Sequence, residues 1–320
     1  MVKRRPTIVA ICRTPTTILS KNIINMKNII NMTLKNGIIA SMLFFTTGFA
    51  SKAQNEQSEQ TSSEQFNKHE YSAYLTVSLS NLLYQLDSDG KKHSSPGFGA
   101  GATYTFNFDA RWGVAGGMEF STFGRKTKYA QLSEKYNTFD PNSTPASNLE
   151  YSYSIRDYEE KQKLVLFSIP VKAQFKTPVG TGLDFYAAAG FKVGIPVSSK
   201  VTMSGGRINS EAHYEYENVT YNKLPQHGFF NNNVYGTHHS KIEIGVAFIL
   251  SLESGLRFDL GSIGLCTGIY FDYGLNNTGK SNNKHPVTFN TPVIYESVLN
   301  STLSNKLKTM SVGLKAGIVF

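Results

Sequence analysis

Cysteine is almost absent from this 320-residue chain, and long apolar runs are missing altogether. Of the two cysteines, Cys12 lies in an N-terminal leader, so Cys266 stands alone afterwards and no internal disulfide can form. Cys266 reads as a small packing residue inside a strand. The greasiest stretch, "GIIASMLFFTTGF", is about a dozen residues long, too short to cross a bilayer as a helix. Acidic residues are missing from residues 1–53, which carry eight Lys and Arg. Taking those eight from 32 basic residues leaves 24 against 23 acidic ones, so the formal charge of +9 falls to +1 beyond the leader. The basic balance therefore gives no support to a nucleic-acid partner.

The leader has a recognisable order. Lys27 and Lys35 precede the apolar run, and "ASKAQ" follows it, with Ser51 and Ala53 at the −3 and −1 positions of a signal-peptidase site. Cleavage is expected after Ala53. Met1–Asn25 exceeds what such a leader needs, which leaves Met26 and Met32 as alternative starts. Residues 54–70, rich in Gln, Ser and Glu, read as a disordered tether. Residues 71–320 suit one β-domain.

That domain alternates apolar and small or polar residues with period two. In "MSVGLKAGIVF" one face is Met310, Val312, Leu314, Ala316, Ile318 and Phe320, and the other holds Ser311, Gly313, Lys315 and Gly317. "SIGLCTGIYFDYG", "KIEIGVAFILSLESGLRFD", "YLTVSLS", "GFGAGATYTFNF", "WGVAGGMEFSTF", "KLVLFSIPVKAQF" and "LDFYAAAGFKVGIPV" repeat the pattern, giving eight strands. Three connections ("DAR", "KTPVGTG", "DLGS") are tight, whereas those near 85–96, 130–150, 203–240 and 276–305 are long and polar. Short turns at one end and long loops at the other predict an all-β, eight-stranded antiparallel up-and-down transmembrane β-barrel, with periplasmic turns and external loops. A soluble barrel would have to pack the apolar face into an interior only just wide enough for side chains. Facing lipid, those residues meet no volume limit. The expected location is the outer membrane. If the 205–221 segment joined the ring as a hairpin, the count would be ten.

The leader end "ASKAQ", the stretch "LVLFSIPVKAQFKTPVGTGLDFYAAAGFKVGIPV" and the closing "MSVGLKAGIVF" resemble the small outer-membrane β-barrel domain proteins of Bacteroidota, the group that includes the PorT family. The resemblance spans about residues 71–320. It implies an OmpA-like barrel inserted by the barrel-assembly machinery, and it admits a role in protein secretion or envelope biogenesis. Ile318 and Phe320 match the assembly signal of a last strand. Gly313 and Gly317 depart from it, since the usual consensus places a glycine where Lys315 stands.

Several residues carry candidate chemistry. Glu119, Lys172, Lys192, Glu243, Glu253, Arg257, Asp272 and Lys315 fall on the small, polar face and are expected in the lumen. Opposite charges in a narrow interior must pair or bear a heavy desolvation cost, so they predict an ion-pair plug, with a gated ion path or proton relay as the functional alternative. No open pore is expected. Gly97, Gly99 and Gly101 of "GFGAGA" lack the spacing of a nucleotide loop and read as small lumen residues that admit bulky neighbours. His238 and Ser240 of "THHS", with Glu253, faintly resemble the constellation of an outer-membrane lipid A deacylase, but Glu253 has the opposite parity and the triad geometry fails. Glu211, His213, Glu215 and Glu217 share a face if their segment is a strand; they could bind a divalent cation or form a solvated ridge, and "GGRIN" before them suggests a hairpin turn. Tyr214, Tyr216, Tyr221, Phe229, Phe230 and Tyr235, with Tyr151, Tyr153 and Tyr158, fit an interface belt or a contact surface. The expectation is a non-enzymatic, cofactor-free monomer with a plugged lumen. Its partners would be outer-membrane lipid and a protein or surface ligand at the loops, and a lipid-modifying enzyme is the third class.

Overall fold

The computed structural model describes residues 67–86, 90–143, 146–280 and 284–320. The leader, the cleavage site and most of the tether lie outside the described residues. Twelve strands occur in chain order: β1 His69–Leu86, β2 Lys91–Asn107, β3 Trp112–Asp140, β4 Ser147–Gly180, β5 Leu183–Tyr214, β6 Val219–Tyr221, β7 Asn233–Ser240, β8 Ala247–Asp259, β9 Gly264–Gly274, β10 Val287–Thr288, β11 Ile294–Tyr295 and β12 Ser304–Val319. Two single-turn helices, Pro225–His227 and Val298–Asn300, interrupt the longer links.

Eight of these strands form a closed ring in the order β1-β2-β3-β4-β5-β8-β9-β12, every neighbour antiparallel. Closure runs to the last residue, because Tyr71 and Phe320 exchange backbone hydrogen bonds of 3.2 and 2.8 Å. The sheet thus has no free edge in its barrel portion. Strands β6 and β7 pair with the far part of β5 and stay outside the ring, so the count is eight. Strand β1 begins at His69, not after residue 70. Asn107 binds the carbonyls of Lys68 and Asn67 at 2.9 and 2.7 Å, which fastens the expected end of the tether to β2.

The period-two reading decides which face looks outward. On β1, Tyr71, Leu75, Val77 and Leu79 are exposed while Tyr74, Thr76 and Ser80 are buried. Phe98, Met118, Phe120, Val171, Phe191, Ile195, Val197, Phe248 and Leu314 continue this outward apolar band around the ring. Nine residues at about 3.3 Å each, tilted by roughly 40°, give a band about 23 Å tall. Aromatic rings crowd its short-turn rim, where Tyr71 meets Tyr104 at 5.3 Å and Trp112 meets Phe175 at 5.0 Å.

The first three long links are mostly sheet, whereas the described part of the β9–β12 link holds, as sheet, only the two-residue strands β10 and β11. Residues 85–96 and 130–150, expected as polar loops, continue the alternation, so β1 and β2 are joined only by residues 87–90, and β3 and β4 by 141–146. Strands β3, β4 and β5 run far past the apolar band. Where they do so, all three change which parity points inward. Inward residues are Phe123, Thr127 and Tyr129 before the change on β3 and Leu132 after it; on β4 they are Ile155 and Tyr158, on β5 Met203 and Ile208. The change falls at Asp157, which adopts a positive φ of 53°, and at Gly205–Gly206. "GGRIN" is therefore not a hairpin turn. It marks the kink at which β5 rotates its faces, and a Cβ on Gly205 would sit 2.7 Å from the Ile155 side chain. The reversal of the chain comes later, at residues 215–218.

Candidate functional site

The barrel interior is filled by three tiers of ion pairs stacked from the short-turn end. In the first, Glu70 accepts from Lys176 at 2.6 Å and from Arg257 at 2.8 Å. In the second, Glu253 sits between Lys315 at 2.6 Å and Lys172 at 3.0 Å, and also accepts from the Tyr186 hydroxyl at 3.1 Å. In the third, Lys192 donates to both oxygens of Glu119 at 2.9 Å and to Asp272 at 2.8 Å. Tyr74 links the upper tiers, donating to Glu119 at 2.8 Å while the Lys315 ammonium lies 3.9 Å from its ring centroid. Five cations face four carboxylates, each carboxylate held by at least one lysine. Such pairing offsets the desolvation of charges that could not remain here singly. A cavity of about 50 Å³ among Lys172, Gln174, Lys176, Glu253, Arg257 and Cys266 leaves room for a few water molecules.

The structure brings Glu119, Lys172, Lys192, Glu253, Arg257, Asp272 and Lys315 together in this lumen. Glu243 does not belong with them. It precedes β8, in the link where the alternation runs on although the chain has left the barrel, and it accepts from Lys284 at 2.8 Å. Glu70, Lys176, Tyr74 and Tyr186 join the lumen set in addition to the residues expected from the sequence. Glu70 has the parity of Tyr74 and Thr76, a signal hidden by ending the tether at residue 70.

The glycines of β2 make this packing possible. A Cβ on Gly101 would lie 2.6 Å from the Tyr74 ring, and one on Gly99 would lie 2.5 Å from the Thr76 hydroxyl. Gly101→Leu is expected to push Tyr74 away from Glu119 and lower stability by about 1–3 kcal/mol. Urea titration of the folded barrel in vesicles checks this, and Tyr74→Ala should absorb most of the penalty in the double variant.

Above the ion pairs lies a second, apolar filling. Leu82, Phe123, Leu164, Leu166 and Ile249 point inward and are all but fully buried. Farther out, Tyr151, Tyr153, Tyr158, Met203, Ile208, Tyr214, Phe229 and Tyr235 continue the same core, with Val287, Val298 and Leu299 packed on it from the β9–β12 link. Seven of the nine aromatics expected to form a belt or contact surface accordingly belong to this interior or pack against it; Tyr216 and Tyr221 are exposed. A Tyr–Ser alternation has the same period whichever face it turns to the core.

One buried carboxylate pins the β9–β12 link onto this core. Glu160, among the most deeply buried side chains, has no cation paired with it among the described residues. It accepts from Ser297 at 2.5 Å, Gln162 and Tyr158 at 2.9 Å and the Val298 amide at 3.1 Å. Burial raises its pKa above the usual carboxylate range, against the opposing pull of those donors.

The remaining candidates are not gathered into sites. Glu211 and His213 lie on the outer face of β5, bound to Ser152 and Thr220, while Glu215 and Glu217 sit in the exposed turn beyond it. Among the described residues no group of three or more His, Cys, Asp or Glu is placed to hold a metal ion. His238 stacks on Tyr295 at 3.8 Å and Ser240 donates to Glu296 at 2.9 Å, both far from Glu253. Cys266 is a buried free thiol of β9. Ile318 and Phe320 are exposed on the outward face of the closing seam.

A family model described as outer membrane protein beta-barrel domain matches residues 52–280. No curated protein matches the sequence. Among solved structures, the chain is similar to Ail, the attachment invasion locus protein of Yersinia pestis, seen with the heparin analogue sucrose octasulfate, at 14% identity over 79% of this chain and 100% of that one, TM-score 0.28. It is also similar to OprG from Pseudomonas aeruginosa at 12% identity over 79% of this chain and 94% of that one, TM-score 0.32.

Proposed function

This chain belongs to the outer-membrane β-barrel domain family, and from that premise we propose that it is a non-conducting, non-enzymatic barrel that works through the part projecting beyond the membrane. The short turns then face the periplasm and the extension of β3–β5 faces outward. The observation that carries the reading is the double filling of the interior. Ion pairs occupy the membrane-spanning portion and an apolar core seals the extension above it, so a solute has no continuous polar route. From Val165 to Ser147, β4 climbs about 45 Å beyond the apolar band, taking 3.3 Å per residue and the barrel tilt. Phe139, Tyr216, Val219 and Tyr221 stand exposed at its far end, where Tyr214 pairs with both Leu149 and Val219. Exposed aromatics on a rigid support are suited to contact with a protein or a surface ligand.

In planar lipid bilayers the protein is expected to leave the membrane current at its baseline. Discrete conductance steps from the wild-type barrel would overturn the reading. Partner contact is checked by affinity capture from intact outer membranes with Phe139→Ser/Tyr216→Ser/Tyr221→Ser, which should lose captured material while keeping the heat-modifiable gel shift of a folded barrel.

A further inference from the structure

A patch of lysines borders the apolar band on the wall formed by β2, β3, β4 and β5. Across β3, β4 and β5 the outward rows are fixed by register. Phe120, Phe167 and Ile195 make one row, with the two phenylalanine rings 5.0 Å apart. Thr122, Val165 and Ser198 make the next. The row beyond is Gly124, Lys163 and Lys200, followed by Lys126, Lys161 and Thr202. Lysine is thus set directly opposite lysine twice, and Lys91 opposite Lys128 repeats the arrangement on β2 and β3. Like charges in directly opposed positions of a sheet destabilise it. Glu159 answers part of this charge, binding Lys126, Lys128 and Lys161 at 2.7, 3.0 and 3.5 Å. Lys163 and Lys200, closest to the band, have no acidic partner among the described residues.

Six lysines against one carboxylate leave a local surplus of five positive charges, at the height where acyl chains end and headgroups begin. Gly124 adds no side chain to the lysine row, and Lys163 and Lys200 are both exposed. We propose that Lys163 and Lys200 together bind the phosphate of a phosphorylated lipid in the outward-facing leaflet, whose acyl chains lie on Phe167, Ile195 and Val197. The phosphate oxygens accept from both ammonium groups and relieve a repulsion that the sheet otherwise carries. Lys126 and Lys161, already shared with Glu159, provide a second ring of positive charge above the headgroup. The inference rests on the band facing lipid and is independent of whether the lumen conducts.

The test uses the full mature chain folded into phosphatidylcholine vesicles, with and without added lipid A, and reads the urea midpoint of the heat-modifiable species. Lipid A should raise the wild-type midpoint, whereas lipid A stripped of its phosphates and inorganic phosphate in solution should not. Lys163→Gln/Lys200→Gln should unfold at a higher urea concentration than wild type in phosphatidylcholine alone, because the repulsion is gone. It should gain nothing from lipid A and retain it roughly thirty-fold less well after detergent extraction, at about a factor of five per lysine. Lys223→Gln/Lys280→Gln, which removes two exposed lysines from loops outside the patch, should respond as wild type does. An equal gain in the Lys163/Lys200 variant overturns the proposal. So does an equal gain from inorganic phosphate, which would make this a site for a free anion, or loss of the effect in the loop variant, which would make it a matter of diffuse charge.

Discussion

Replacing Lys192 by methionine is expected to destabilise the barrel by about 3–5 kcal/mol, enough to abolish the heat-modifiable folded band under mild denaturation. The side chain is completely enclosed and is the cation held between Glu119 and Asp272. Methionine keeps the volume and removes the charge. Glu119 retains the Tyr74 hydroxyl as a donor, but Asp272 keeps none, since its Oδ1 already lacks a partner and its Oδ2 is bound by Lys192. Two carboxylates would then face one another in a poorly hydrated interior, which costs far more than the ion pair contributes. The cost belongs to the stranded charges. Lys192→Met/Glu119→Gln/Asp272→Asn should therefore recover most of the loss. Urea unfolding in vesicles measures both variants, and a single variant as stable as wild type, or a triple no better than the single, would refute the assignment.

Glu160→Ala should release the β9–β12 link from the extension without unfolding the membrane portion. Four donors converge on this carboxylate, two of them from Ser297 and Val298 of the link itself. Hydrogen bonds to a charged acceptor are each worth about 1.5–3 kcal/mol, and buried donors left unanswered add to the loss. A local loss of about 3 kcal/mol raises the open fraction of the link more than a hundred-fold. Limited proteolysis should then cut near residues 284–303 while the barrel resists. The pH dependence follows from the raised pKa of Glu160. With the folded value above the unfolded one, its contribution is complete in acid and is lost as the pH rises through the folded value. Protection of Val298 and Leu299 from hydrogen exchange should fall along that rise in the wild type. In Glu160→Gln, which cannot ionise, protection should follow the intrinsic exchange rate alone. Equal pH profiles would show that this group does not control the attachment.

Much of the barrel is legible because a wall between two unlike media imposes a period of two. Leu75 and Thr76, or Leu252 and Glu253, declare their faces without any knowledge of neighbours. The lumen charges are legible for the same reason, as members of one parity. Their pairing is not, because the partner of Lys192 depends on how far β3 and β9 are sheared past β5, and that stagger leaves no mark on a single strand. Where the wall ends, the rule ends. Tyr151 and Tyr153 alternate with serine as an outward belt would, yet they face a core, since outside the membrane both sides of the sheet have water nearby and the period no longer tells which is dry. The positive φ of Asp157 turns β4 over within a run, "SIRDYEEKQK", that reads as solvated charge, and this hides Glu160 among its exposed neighbours. Glycines 205 and 206 did signal an irregularity. A pair of glycines serves a kink as readily as a turn, so the sequence does not tell the two apart.

The side-by-side run of β3, β4 and β5 from the lumen to the far end has a mechanical consequence. A load applied at Tyr216 and directed away from the cell pulls along the strands, so the ladder bonds joining β4 to β3 and β5 resist together in shear rather than opening one by one. A tether made this way transmits tension into the cylinder itself, through the paired segments on either side of the kink at Asp157.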